Sequence, residues 1–150
     1  MGETASYKII ERLDLVHTKV ELRDDGIIQF FYGDSINYTM KETEELENVV
    51  SKITKGVVHK SLRVAGKFSN IDIEVMKYLS RGRSTLFTLA DSFVLHSMPQ
   101  KLLANFYLKI NKPVLPTKFF TQTTEAEQWL QSLDREELER MHKLKIMQYY

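Results

Sequence analysis

Hydrophobic and polar positions change rhythm several times along the 150 residues. Val16, Thr18, Val20 and Leu22 alternate with His17, Lys19 and Glu21, the period of two that marks a half-buried strand. Asp24-Asp25-Gly26 follows as a hairpin turn, and Ile27, Ile28, Phe30, Phe31 and Tyr32 make a second strand, apolar on both faces and therefore central. The segment Tyr7–Leu15 before the hairpin reads as an extended lead-in or a short strand. Thr39-Met40-Lys41-Glu42 has the form of a capping box, ahead of Leu46, Val49, Val50 and Ile53 at helical spacing, with Gly56 closing that helix. Leu62, Val64 and Ala65 give a third strand. Ser69 or Asn70 then caps a helix whose stripe is Ile71, Val75, Tyr78 and Leu79, ending near Gly82.

The apolar run Leu86–Leu95 holds a fourth strand, interrupted by Asp91. Ser97-Met98-Pro99-Gln100 starts a helix carrying Leu102, Leu103, Phe106 and Ile110, with Pro99 in the first turn where its missing N–H costs nothing. Lys118-Phe119-Phe120 is a fifth strand. Thr124 with Glu127 opens a helix with Ala126, Trp129, Leu130 and Leu133 inward, and Asp134 with Glu137 starts one more through Leu138, Met141 and Leu144. One hairpin followed by alternating strands and helices predicts an α/β fold. Its sheet is mixed, mostly parallel and five-stranded, with an N-terminal hairpin and four to five covering helices. The domain spans residues 1–133, and 134–150 form a C-terminal helical extension that either docks on its own domain or pairs with a second copy.

Composition narrows the chemistry. There is no cysteine, which removes disulfides, thiol catalysis and thiolate metal sites. Net charge is +1, and the 21 basic and 20 acidic residues are interspersed, so no concentrated positive field for nucleic acid exists. No apolar run approaches the ~20 residues of a bilayer span, and Met1–Ser6 lacks the plan of a signal peptide. A soluble, cytoplasmic protein without a cofactor is the expectation.

His17, His59, His96 and His142 include no pair at the spacing of a helical metal site. His96 stands beside Ser97 at the end of a strand, where open α/β sheets place ligand clefts. It and Asp91 are the candidate cleft-lining residues, although each is also read as a structural residue, His96 hydrogen-bonded and Asp91 in an ion pair. Asp91, His96 and Ser97 do not make a triad, because the Gly-x-Ser-x-Gly elbow is missing and Ser97 is already a cap. Arg81-Gly82-Arg83-Ser84 is a basic loop, so Arg81 and Arg83 are candidate anion-binding residues against the plainer reading of a solvated loop. No Gly-x-Gly-x-x-Gly or Walker loop is present. Ser69 with Asn70 is either a turn and cap, or a site where a phosphate would meet helix N–H groups.

Several segments in order resemble one family: Asp25-Gly26-Ile27-Ile28, Leu89-Ala90-Asp91, Gln100-Lys101-Leu102-Leu103-Ala104-Asn105-Phe106, Lys112–Phe120 and Ala126-Glu127-Gln128-Trp129-Leu130. Up to Leu133 the chain is similar to the SpoIIAA-like, or STAS-like, small domains of bacteria. The resemblance implies a sheet with helices packed over it and a non-enzymatic regulatory role. Anti-sigma-factor antagonists of that kind bind a partner kinase and are switched by phosphorylation of a Ser at the start of the helix after the third strand. The corresponding place here is Ser69-Asn70-Ile71-Asp72, where the Asp-Ser-Ser-Gly type of motif is absent. A related branch of the fold binds lipids or other apolar molecules. The expected function is recognition of a protein partner, with a possible homodimer. The alternative is a carrier or sensor of a small apolar or lipid-like ligand, which requires an enclosed apolar pocket of roughly 300 Å³.

Overall fold

The computed structural model describes residues 6–81, 86–96, 98–110 and 112–149. In chain order the elements are β1 (Ile9–Asp14), β2 (Thr18–Arg23), β3 (Ile27–Tyr32), β4 (Asn37–Tyr38), α1 (Met40–Thr54), β5 (His59–Val64), β6 (Asn70–Ile71), α2 (Ile73–Arg81), β7 (Thr88–Val94), α3 (Met98–Ile110), β8 (Thr117–Phe120), α4 (Thr123–Ser132) and α5 (Arg135–Tyr149). The main sheet has six strands in the order β1-β2-β3-β5-β7-β8, one more than the sequence pattern counted. The additional strand is the lead-in: β1 pairs antiparallel with β2 and forms the edge, so it shows little of the alternation that burial imposes. β2 and β3 form the antiparallel hairpin, and β3, β5, β7 and β8 run parallel. The two-residue strands β4 and β6 pair separately.

Three apolar clusters divide between the faces. Ile27, Leu62, Leu89, Val94 and Phe120 pack with Ala126, Leu130 and Leu138 of α4 and α5. On the opposite face Val20, Leu22, Ile28 and Phe30 meet Leu46 of α1, and Phe93, Leu95 and Phe119 meet Val75 and Leu79 of α2. Because Leu138 belongs to the first cluster, the first turn of the C-terminal extension docks on its own domain, while Leu144 and Met147 farther along α5 are exposed.

Local chemistry explains the helix limits. Thr39 is the N-cap of α1, its N–H donating to Glu42 Oε2 at 3.0 Å, and Lys55 in the left-handed region ends the helix. α4 starts one turn-fraction earlier than expected, at Thr123, and Glu127 is not part of its cap. Glu127 instead lies 3.5 Å from Arg23, whose fully buried guanidinium also meets Asp25, Gln29 Oε1 at 3.2 Å and the ring of Tyr7 at 3.4 Å. This corrects the half-buried reading of β2: Glu21 and Arg23 are interior, and a buried cation must gather partners. Lys60 behaves likewise. Its Nζ donates to the carbonyls of Leu130 at 2.6 Å and Leu133 at 2.8 Å, a cation set at the C-terminal end of α4. Replacing it, Lys60→Met, is expected to cost about 2 kcal/mol, the worth of charged hydrogen bonds left unmade. Urea unfolding measures this; an unchanged midpoint would show that the end of α4 does not depend on Lys60.

Candidate functional site

β5 lies at the centre of a sheet covered by helices on both faces, yet every second residue is polar. His59, Ser61 and Arg63 point toward α1 and α2, whereas Lys60, Leu62 and Val64 point toward α4 and α5. The sequence reading took only the apolar half of this strand. The missed signal is period-two polarity in a strand whose neighbours are apolar on both sides.

Arg63 is only 7% exposed, and its Nε donates to Asp91 Oδ1 at 2.7 Å. Its Nη1 donates to the hydroxyl of Tyr32 at 2.9 Å, and the guanidinium lies over the rings of Phe30 and Phe93 at 4.7 and 5.8 Å. Burial alone would lower the Arg63 pKa, but Asp91 and Tyr32 together raise it, so the cation is permanent. Burial raises the Asp91 carboxyl against the opposing pull of Arg63. The same desolvation raises the Tyr32 phenol and keeps it protonated. Asp91 thus stands where a central strand tolerates a charge because the adjacent strand supplies its counter-ion, which is the structural role weighed for it from the sequence.

Above this floor, α1 and α2 leave a cavity of about 50 Å³. Its walls include Ile28, Leu46, Val50, Val75, Leu79 and Phe87, and its floor includes Tyr32, His59, Ser61 and Arg63. The Tyr78 hydroxyl donates to Glu47 Oε2 and ties α2 to α1. His59 Nδ1 lies 2.8 Å from the carbonyl of Val57, which accepts only, so Nδ1 carries the proton and Nε2 is the bare nitrogen of the neutral ring. Burial lowers the His59 pKa. His59 and Ser61 are two residues apart on one strand, about 6.6 Å along it and outside nucleophile–base hydrogen-bond reach.

The residues singled out from sequence are not brought to this cavity together. Asp91 lies beneath it, paired with Arg63. His96 is exposed at the C-terminal end of β7, its Nε2 hydrogen-bonded to the carbonyl of Ala65. Ser69 is buried and does not cap α2: its hydroxyl donates to the Gly66 carbonyl at 2.6 Å, and the helix begins four residues later. The intervening Asn70 is held by β6 pairing, its N–H on the Ile36 carbonyl at 2.8 Å, so the chain is extended where a cap was expected. Arg81 closes α2 at the other end of the sheet; Arg83 and Ser97 lie outside the described residues. Among the described residues, no group of three or more acidic or histidine side chains has the arrangement of a metal site.

A second feature lies at the C-terminal ends of the parallel strands. The turn between β1 and β2 and the loops after β3, β5 and β7 all emerge there. Val16 is 91% exposed and Phe68 89%, and Ile73, Met98 and Leu102, at the starts of α2 and α3, are exposed as well. The loops beneath them are tightly joined. A Cβ on Gly66 would stand 2.0 Å from the carbonyl oxygen of Gly33, so only glycine fits there. Ser35 N–H donates to the Lys67 carbonyl at 2.8 Å, Lys67 N–H to Asp34 Oδ1 at 2.7 Å, and Asp72 N–H to the Tyr38 carbonyl at 3.0 Å. Phe68 itself takes a φ of 56°, a strained conformation for a bulky residue.

Residues 20–134 match the model of a family described as a domain of unknown function, DUF7793. The chain belongs to that family. This DUF7793 chain is also similar to the crystal structure of an uncharacterized protein of the DUF3478 family, with a SpoIIAA-like fold, from Shewanella loihica PV-4. The TM-score is 0.51 at 12% identity, covering 87% of this chain and 99% of that one. At that identity the likeness shows the fold, and the DUF7793 chain has the SpoIIAA-like architecture that its sequence segments resemble. No curated protein matches it. No described helix is long and apolar enough to cross a membrane.

Two predictions follow from the polar row of β5. Arg63→Met leaves Asp91 buried without a counter-ion and is expected to cost about 3–5 kcal/mol in chemical unfolding, with most of it recovered in Arg63→Met/Asp91→Leu. Equal losses in the single and double variants would contradict the pairing. The His59 pKa is lower in the folded chain than its ordinary 6.5. As pH falls below 6.5 the unfolded chain takes up a proton that the folded chain refuses, so stability declines on acidification through that window. His59→Gln is expected to flatten this part of the stability–pH curve, and an unchanged slope would exclude His59 as its source.

Proposed function

We propose that this protein is a non-enzymatic recognition domain that binds a protein partner through the C-terminal rim of its sheet. The observation that carries this reading is the exposure of large apolar side chains on loops fixed by main-chain hydrogen bonds. Val16 and Phe68 have no local reason to be apolar, since solvation of such surface is unfavourable by about 25 cal/mol per Å². Exposed apolar surface edged by polar groups is characteristic of interaction sites, and Asp34, Lys67, Asp72 and His96 are such groups at the same rim. Rigid loops also lose little entropy on binding. Ser69 takes no part as a surface switch in this reading, because its hydroxyl is buried and engaged. Carriage of an apolar ligand is the weaker reading: the cavity between α1 and α2 falls short of the roughly 300 Å³ that carriage needs.

Affinity isolation from the host with tagged wild-type protein, Phe68→Ser and Val57→Ser tests the proposal, Val57 being exposed at the opposite end of the sheet. Truncating a central aromatic anchor is expected to cost about 2 kcal/mol, near a thirtyfold loss of affinity. A partner, whether another protein or a second copy, should be retained by wild type and Val57→Ser and lost from Phe68→Ser, with thermal stability unaltered. Retention by all three would count against the rim.

A further inference from the structure

The cavity between α1 and α2 has a chemistry that neither packing nor the rim accounts for. Arg63 lines it, and its Nη2 donates no hydrogen bond among the described residues, although the side chain is more than nine-tenths buried. A guanidinium carries five N–H donors, and leaving them unmet in a low-dielectric interior is costly. The Tyr32 hydroxyl accepts from Arg63 Nη1, which leaves its own proton to donate, and the hydroxyl of Ser61 opens on the same space with no partner among the described residues. These donors sit on adjacent strands, on one face of the sheet, beneath walls that are otherwise mostly apolar. What Arg63 Nη2 lacks is an acceptor within reach among the described residues.

We propose that this cavity is a binding site for a compact, uncharged organic molecule that presents a carbonyl or hydroxyl oxygen to Arg63 and Tyr32. Its apolar body lies against Leu46, Val50, Val75 and Leu79. The charge follows from the groups present. Asp91 already neutralises Arg63, burial holds His59 neutral, and the Glu47 side chain faces the same space. An anionic ligand would therefore add uncompensated negative charge to a buried site, which the low dielectric penalises. The size follows from the volume. Some 50 Å³ holds about four water-sized particles, so the ligand has about four to six non-hydrogen atoms. The site is on one face of the sheet and the rim is at its end, so neither depends on the other.

Isobutyramide is a probe of this size and polarity, with isobutyrate as its charged counterpart. Methyl-resolved NMR titration of the full chain is expected to show saturable shifts at Leu46, Val50, Val75 and Leu79 with a Kd of about 1 mM, ordinary for six heavy atoms. Isobutyrate should bind at least about tenfold more weakly. Val50→Phe, which fills the cavity, should abolish the shifts while the chain remains folded, and Tyr32→Phe should weaken amide binding severalfold. Non-saturating shifts, equal affinity for the anion, or full binding in Val50→Phe would each overturn the assignment and leave a cavity that holds water alone.

Discussion

The pairing of Arg63 with Asp91 is the interaction on which the interior of this protein turns. A guanidinium and a carboxylate are both nearly inaccessible between β5 and β7, in a sheet whose other central side chains are largely aliphatic or aromatic. Neither charge is tolerable alone. Together they neutralise each other, and Arg63 extends the network to Tyr32 on β3, so three consecutive strands are joined by polar contacts on one face. A buried pair of this sort is weak evidence for stability, since well-packed apolar residues serve a core at least as well. Its consequence is positional: it sets a polar floor on one face of the sheet, and the space beneath α1 and α2 lies over it.

The rest of the fold applies the same rule in different places. Arg23 is wholly buried and gathers Asp25, Gln29, Glu127 and the ring of Tyr7. Lys60 is buried on the same face as Arg23 and satisfies the last carbonyls of α4. Each of these cations joins elements distant in sequence. The rim is organised without buried charge. There the close approach of Gly33 and Gly66 and a short run of main-chain hydrogen bonds set the loops, and the side chains left over are apolar and exposed.

Much of the architecture is legible in the sequence because it rests on local patterns. The hairpin at Asp24-Asp25-Gly26, the capping box at Thr39 and the alternation of strand and helix each carry a physical signature that tertiary contacts leave intact. Less legible are the features created by long-range pairing. The edge strand β1 lacks alternation because residues on both of its faces are exposed. Glu127 has the spacing of a capping residue, but a buried arginine more than a hundred positions away claims its carboxylate. Ser69 stands where a cap is expected, and the short β4–β6 pairing keeps that stretch extended instead. Asp91 was visible as an anomaly; its partner was not, because nothing local in His59–Val64 marks Arg63 as interior. Of the candidate site, then, one residue was legible, and the polar row of β5 required knowing that the strand is covered on both faces.

Fold and family membership leave the biological role to the surfaces, and the rim is the surface through which we propose that a partner binds. The most direct measurement is site-specific photo-crosslinking in the living host, with a benzophenone amino acid placed at Phe68 and, separately, at Val57. Phe68 is already an exposed aromatic, so the substitution perturbs little. The account predicts a discrete adduct with one protein species from position 68 and none from position 57. Absence of any adduct at 68, or equal labelling from both positions, would contradict the rim as the recognition surface.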